Sequence, residues 1–79
     1  MNTDQFTAQR VWFDDERIFV ELNDGRIIGS PLAWFPRLQK ATSAQRNQFE
    51  FMADGYGIHW EELDEDLTAG GFLTYSRPY

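Results

Sequence analysis

The sequence predicts a small α+β domain: an antiparallel sheet of three to four strands, opening as an N-terminal meander and packed with short helices from the middle and C-terminal segments. Three observations carry this. Apolar and polar residues alternate at period two through residues 8–13 and again through 17–22, the pattern of strands with one buried face. Asn23-Asp24-Gly25-Arg26 follows directly, and Asp-Gly accepts the positive φ angles of a tight hairpin. Beyond residue 30 the alternation stops and helix-starting residues, Pro31, Pro36 and Thr42, take over.

One domain over residues 1–79 is all this length allows. A chain so short buries only about 60% of the surface it exposes when unfolded, and with no cysteine its core must hold by packing. Seven Phe, three Trp and three Tyr make that feasible, since each large ring buries on the order of 150–250 Å².

Residues 8–13, 17–22 and 26–29 are the expected meander strands. A two-residue turn centred on Asp24 and Gly25 places Leu22 opposite Ile27 and Glu21 opposite Ile28. The first turn is centred on either Asp14-Asp15 or Asp15-Glu16. Under both choices Val11, Phe13, Ile18, Val20, Leu22 and Ile27 share a core face, and Arg10, Trp12, Arg17, Phe19, Glu21 and Ile28 share the other. That second face is too apolar for a simple wet surface and too charged for a second core, so either the C-terminal half or a partner covers it.

Next, Ser30 is placed as the N-cap of a turn beginning at Pro31, and Pro36 as the start of a short helix through Lys40. Thr42 with Gln45 fits a capping box opening a helix toward Phe49. Phe49-Glu50-Phe51 alternates as a candidate fourth strand that ends at the turn signal Asp54-Gly55. Leu63 and Leu67, four apart, are read as anchoring a helical turn, and Thr68 as capping a last turn through Leu73.

Charge is segmented along the chain. Residues 1–24 carry six acids and two bases, residues 25–49 four bases and no acid, and residues 50–79 seven acids and one base, for a net charge of −6. Arg37, Lys40 and Arg46 are the one close cluster of bases, too few for the continuous stripe that duplex binding needs, so direct nucleic-acid binding is not expected. Nor is a membrane role, since no apolar run approaches roughly 18 residues. Residues 1–5 lack a basic leader region, and the missing cysteine fits a reducing compartment, so the expected location is cytoplasmic.

Several motifs in order point to one family. Asp24-Gly25-Arg26, Pro31-Leu32, Trp34-Phe35-Pro36-Arg37-Leu38, Ala41-Thr42, Gln45-Arg46, Gly57-Ile58-His59-Trp60 and Leu63-Asp64-Glu65-Asp66-Leu67 resemble the signature of the bacterial domain-of-unknown-function family 2442 (DUF2442), over about residues 10–73. The resemblance implies a small α+β domain of bacterial or mobile-element origin, antitoxin-like in some members, with no catalytic residues to carry over. Longer relatives append a helix-turn-helix; with six residues after Leu73, this chain is expected to be the short form.

Trp34, Phe35 and Leu38 suit a plug closing the open face of the sheet, and Arg37 or Arg46 is expected to pair with Asp64 or Asp66. Residues 61–66 hold five acids in six positions after the single histidine, His59, without the spacing or pivot glycine of a calcium loop, so no metal or other cofactor is expected. His59 is read as a structural hydrogen-bonder. No cysteine nucleophile, Gly-x-Ser-x-Gly elbow or phosphate-cradling glycine loop is present, so enzymatic activity is not expected.

What remains is a protein-binding regulatory module, antitoxin-like, that occupies a partner protein with a basic surface; a homodimer is a further expectation. The alternative is an acidic phage-type inhibitor, anti-CRISPR-like, that blocks a partner's nucleic-acid channel. Candidate partner-binding residues are Trp12, Arg17, Phe19 and Ile28 on the second sheet face, and Glu61, Glu62, Glu65 and Asp66 in the acidic run.

Overall fold

The structure is a computed structural model and describes residues 6–74. Two three-stranded antiparallel sheets follow one another along the chain. The first has the order β1-β2-β3, with β1 at Ala8–Phe13, β2 at Arg17–Leu22 and β3 at Ile27–Pro31. The second has the order β4-β5-β6, with β4 at Glu50–Met52, β5 at Gly57–Trp60 and β6 at Glu65–Thr68. Between them lie a 3₁₀ turn at Leu32–Trp34 and two one-turn helices, α1 at Pro36–Gln39 and α2 at Ser43–Arg46; α3, at Gly71–Thr74, closes the described chain.

The helical junctions form where the local chemistry calls for them. Pro36 sits in the first turn of α1, where its missing N–H costs nothing. Thr42 and Gln45 complete a capping box on α2: the Thr42 hydroxyl accepts from the Gln45 N–H at 3.1 Å and the Gln45 side chain accepts from the Thr42 N–H at 2.9 Å. The Thr68 hydroxyl accepts from the Gly71 N–H at 3.0 Å ahead of α3. The expected cap at Ser30 does not form. Ser30 is a buried β3 residue, and Pro31 precedes the 3₁₀ turn without a side-chain cap.

The acidic segment departs from the expected helical turn at Leu63 and Leu67. Asp64, at φ +52°, reverses the chain between β5 and β6, and Leu67 pairs with Ile58 across that hairpin. Four-residue spacing of two leucines is compatible with a helix, but cross-strand pairing with the apolar β5 decides the outcome.

One core joins both sheets. Ile18, Val20, Leu22, Leu38, Ile58 and Trp60 are fully enclosed, with Leu32, Phe35, Ala69 and Phe72 in the same cluster. Phe35 and Leu38 lie inside this cluster and Trp34 is partly buried against it. The Trp60 indole N–H donates to the Arg46 carbonyl at 2.9 Å, satisfying the polar edge of the largest buried side chain.

Candidate functional site

The first hairpin turns through Asp15 and Glu16: the Asp14 N–H donates to the Arg17 carbonyl at 3.1 Å, and Val11 pairs with Val20. The Asp14 carboxylate accepts from the N–H groups of Glu16 at 2.8 Å and Arg17 at 2.7 Å, which hold its pKa below the usual carboxylate value. At the far end of β1 the register slips between Ala8 and Arg10, leaving Gln9 as the extra residue of a bulge. That slip turns Ala8 inward with Val11.

The second hairpin is one residue longer than the two-residue turn expected from Asp24-Gly25. The Gly25 N–H donates to the Leu22 carbonyl at 2.9 Å and the Leu22 N–H to the Arg26 carbonyl at 2.8 Å, so Asn23, Asp24 and Gly25 all lie in the loop. Gly25, at φ +92°, takes the left-handed position that ends a three-residue hairpin loop. The Asp24 carboxylate accepts from the Arg26 backbone N–H at 3.0 Å and from its guanidinium at 2.7 Å, and both bonds lower its pKa.

One extra loop residue exchanges two side chains between faces. Glu21 pairs with Ile27 and Val20 with Ile28. Ile28, expected on the partner-binding face, is half-buried against the core, whereas Ile27, expected in the core, is 54% exposed.

The face of β1–β3 turned away from the core consists of three cross-strand rows, set by register and alternation: Arg10, Glu21 and Ile27; Trp12, Phe19 and Gly29; and, at the first turn, Asp14, Arg17 and Pro31. In the middle row the Trp12 and Phe19 rings stack, 5.6 Å between centroids and 14° from parallel. The Arg10 guanidinium lies 4.4 Å from the Trp12 ring centre while its Nε donates to Glu21 at 3.0 Å. Phe19 lies across Gly29 so closely that a Cβ there would sit 2.8 Å from Cε1 of the ring. Trp12 and Phe19 are half-buried by these neighbours and stand outside the core cluster; the C-terminal half contributes Ala69 and Phe72 to the opposite, inner side. Trp12, Arg17 and Phe19 are thus brought together as expected.

The acidic run is dispersed across the β5–β6 hairpin. Glu61 and Asp66 both bind His59, Glu61 at Nε2 over 2.9 Å and Asp66 at Nδ1, and these contacts, Glu61 first, raise the imidazole pKa to about 9. Glu62 accepts from the Gln45 amide at 2.7 Å, and Glu65 is half-buried opposite Trp60. The expected Arg37 and Arg46 ion pairs with Asp64 or Asp66 are replaced by bonds to backbone carbonyls. Arg37 donates to the Asp64 carbonyl, and Arg46 to those of Leu38 at 2.7 Å and Gln39 at 2.8 Å. The Leu38 carbonyl also accepts from the Ala41 N–H at 3.2 Å, and the Arg46 guanidinium fork spans it and the neighbouring Gln39 carbonyl at the end of α1.

A family model described as "Protein of unknown function (DUF2442)" matches residues 8–78. Two solved structures are similar. One is the crystal structure of a protein of unknown function from Rhodospirillum rubrum, 30% identical, with a TM-score of 0.73, covering 89% of this chain and 87% of the other. The second, the solution structure of an uncharacterized protein from Chromobacterium violaceum, is 24% identical with a TM-score of 0.72, covering 92% of this chain and 69% of the other; at that identity it shows the fold alone. No curated protein matches the chain. Among the described residues no helix is long and apolar enough to cross a membrane.

Proposed function

The chain belongs to the DUF2442 family, and we propose that it is a non-catalytic, antitoxin-like regulatory module that occupies a partner protein with the outer face of β1–β3. The stacked Trp12–Phe19 pair carries this reading. Two large rings rest outside the core on the sheet, flanked by Arg10, Arg17 and Glu21, and aromatic and arginine side chains are the usual anchors of protein interfaces. The net charge of −6 adds long-range attraction to a basic partner. Supporting aromatic contact over imitation of phosphate, Glu61, Glu62 and Asp66 already bind His59 or Gln45 within the chain.

The test is capture of binding proteins by the immobilised chain, followed by titration of whichever protein is retained. Truncating an anchor of this kind costs about 2 kcal/mol or more, so Trp12→Ala should weaken binding roughly 30-fold or further. A variant with Glu61, Glu62, Glu65 and Asp66 converted to amides should bind within a few-fold of wild type. Full binding by Trp12→Ala, together with loss in the amide variant and displacement by DNA, would replace this reading with that of a channel-blocking inhibitor.

A further inference from the structure

We infer that the outer face of β1–β3 also closes on a second copy of this chain, about a two-fold axis that runs across the strands through the row Trp12, Phe19 and Gly29. The inference rests on that face being the binding face. Its basis is the charge pattern that the register writes on the sheet. One end row holds a base, an acid and an apolar residue in the order Arg10, Glu21, Ile27; the other holds an acid, a base and an apolar residue in the order Asp14, Arg17, Pro31.

A two-fold axis lying in the plane between two such faces, perpendicular to the strands, sets each strand antiparallel to its own copy. Arg10 then meets the second copy's Asp14, Glu21 meets its Arg17, and Ile27 meets its Pro31, while the middle row, with its stacked rings, meets itself. Every charged position faces its opposite and every apolar position faces an apolar one. An axis along the strands would instead set Arg17 on Arg17 and Glu21 on Glu21. Sheets packed face to face keep their strand directions within about 30°, which the antiparallel arrangement respects, and an interface using the same patch on both copies is the commonest route to a dimer.

The face offers three rows of three residues, against about 20–30 residues a side in a standard interface. The dimer is therefore a weak one, and a partner that uses the same rings displaces the second copy. Self-association and partner binding exclude each other.

Sedimentation equilibrium from about 10 to about 500 µM, the range of weak complexes, reads the outcome. Wild type should dimerise. Arg17→Glu and Glu21→Arg should each raise the dissociation constant about tenfold or more, because each sets like charges together twice across the axis. Mixing the two variants one to one should restore association, since every such contact in the mixed pair is again between opposite charges. Circular dichroism of each variant controls for folding. A wild type that stays monomeric throughout, or single variants that dimerise as wild type does, would overturn the dimer even if partner capture depends on Trp12. A dimer with this charge dependence alongside partner capture indifferent to Trp12→Ala would uphold the dimer and overturn the partner reading.

Discussion

Alanine at two glycines separates the cost of a backbone conformation from the cost of a close contact. Gly25 and Gly55 hold nearly the same left-handed angle, φ +92° and φ +96°. A Cβ added at Gly25 meets nothing within 4 Å; one added at Gly55 lies 2.6 Å from the Ala8 carbonyl oxygen and 3.4 Å from both the Ala8 nitrogen and the Thr7 Cβ. The left-handed conformation costs an L-residue about 1–2 kcal/mol, partly offset by the lower unfolded-state entropy of alanine, so Gly25→Ala should lose about 1 kcal/mol. Gly55→Ala carries the same penalty plus overpacking of about 1–3 kcal/mol, because the obstacle is the β1 backbone and cannot rotate aside. Its total is about 2–4 kcal/mol. In a domain of this size each kcal/mol moves the thermal midpoint by about 4–8 °C, which predicts a drop of about 4–8 °C for Gly25→Ala and on the order of 10–30 °C for Gly55→Ala. Far-ultraviolet circular dichroism during heating measures both. Equal midpoints for the two variants would refute the claim that Gly55 is required by the approach of the second sheet's first loop to β1.

Two further outcomes follow from the geometry. His59, raised to about 9 by Glu61 and then Asp66, adds stability that is fully present below the unfolded-state value of about 6.5 and is lost as pH rises through 9. The wild-type midpoint should fall over that window and that of His59→Gln should not; parallel pH profiles would remove the clamp as a contributor. Gly29→Ala pushes Phe19 off the sheet, exchanging about 0.5–1.5 kcal/mol of ring stacking for about 0.4–1 kcal/mol of reduced unfolded-state entropy. Denaturant stability should therefore change by less than about 1 kcal/mol while self-association is lost, and retention of the dimer would show that the ring's position over Gly29 is immaterial.

The features legible in the sequence are those set by a few neighbouring residues. The meander, the Pro36 helix start, the Thr42–Gln45 box and the Thr68 turn depend on side chains at most a few positions apart, and each forms. What escaped depends on counting across a loop or on distant packing. Whether Gly25 is the second or third loop residue changes the local composition not at all, yet it moves Ile27 out and Ile28 in. Asn-Asp-Gly, read as a turn ended by a left-handed glycine, was the signal that could have placed Ile27 on the open face. The bulge at Gln9 likewise reverses the face of Ala8 without a glycine or proline to announce it. In β6, acidic residues of low strand propensity are drawn into a sheet by pairing with β5, which no window of the segment itself reveals. The arginine pairs differ for a third reason: carboxylates abound in the sequence, but the fold sets Arg46 against two successive carbonyls at the end of α1 and Arg37 against the Asp64 carbonyl in the β5–β6 turn, and backbone acceptors do not show in composition.

The division of aromatic residues between the two sides of the first sheet bears on why its outer face is built as it is. Burial of the inner face draws on Phe6, Phe35, Trp60 and Phe72, together with the leucines of the middle segment. Phe19 has a structural use on the other side, since its ring covers the bare backbone of Gly29 in the edge strand β3, a known remedy for a glycine at a sheet edge. Trp12 has no such use. It lies on β1, one strand away, and makes its ring contacts with Phe19 and with the guanidinium of Arg10, which is itself held by Glu21. Stacking on Phe19 adds about 0.5–1.5 kcal/mol to the hairpin, but that contact uses one face of the indole and gives no reason for the breadth of ring left open to solvent. Binding gives one: a broad ring, fixed by a stacked neighbour and a tethered arginine, loses little freedom when a second surface closes over it.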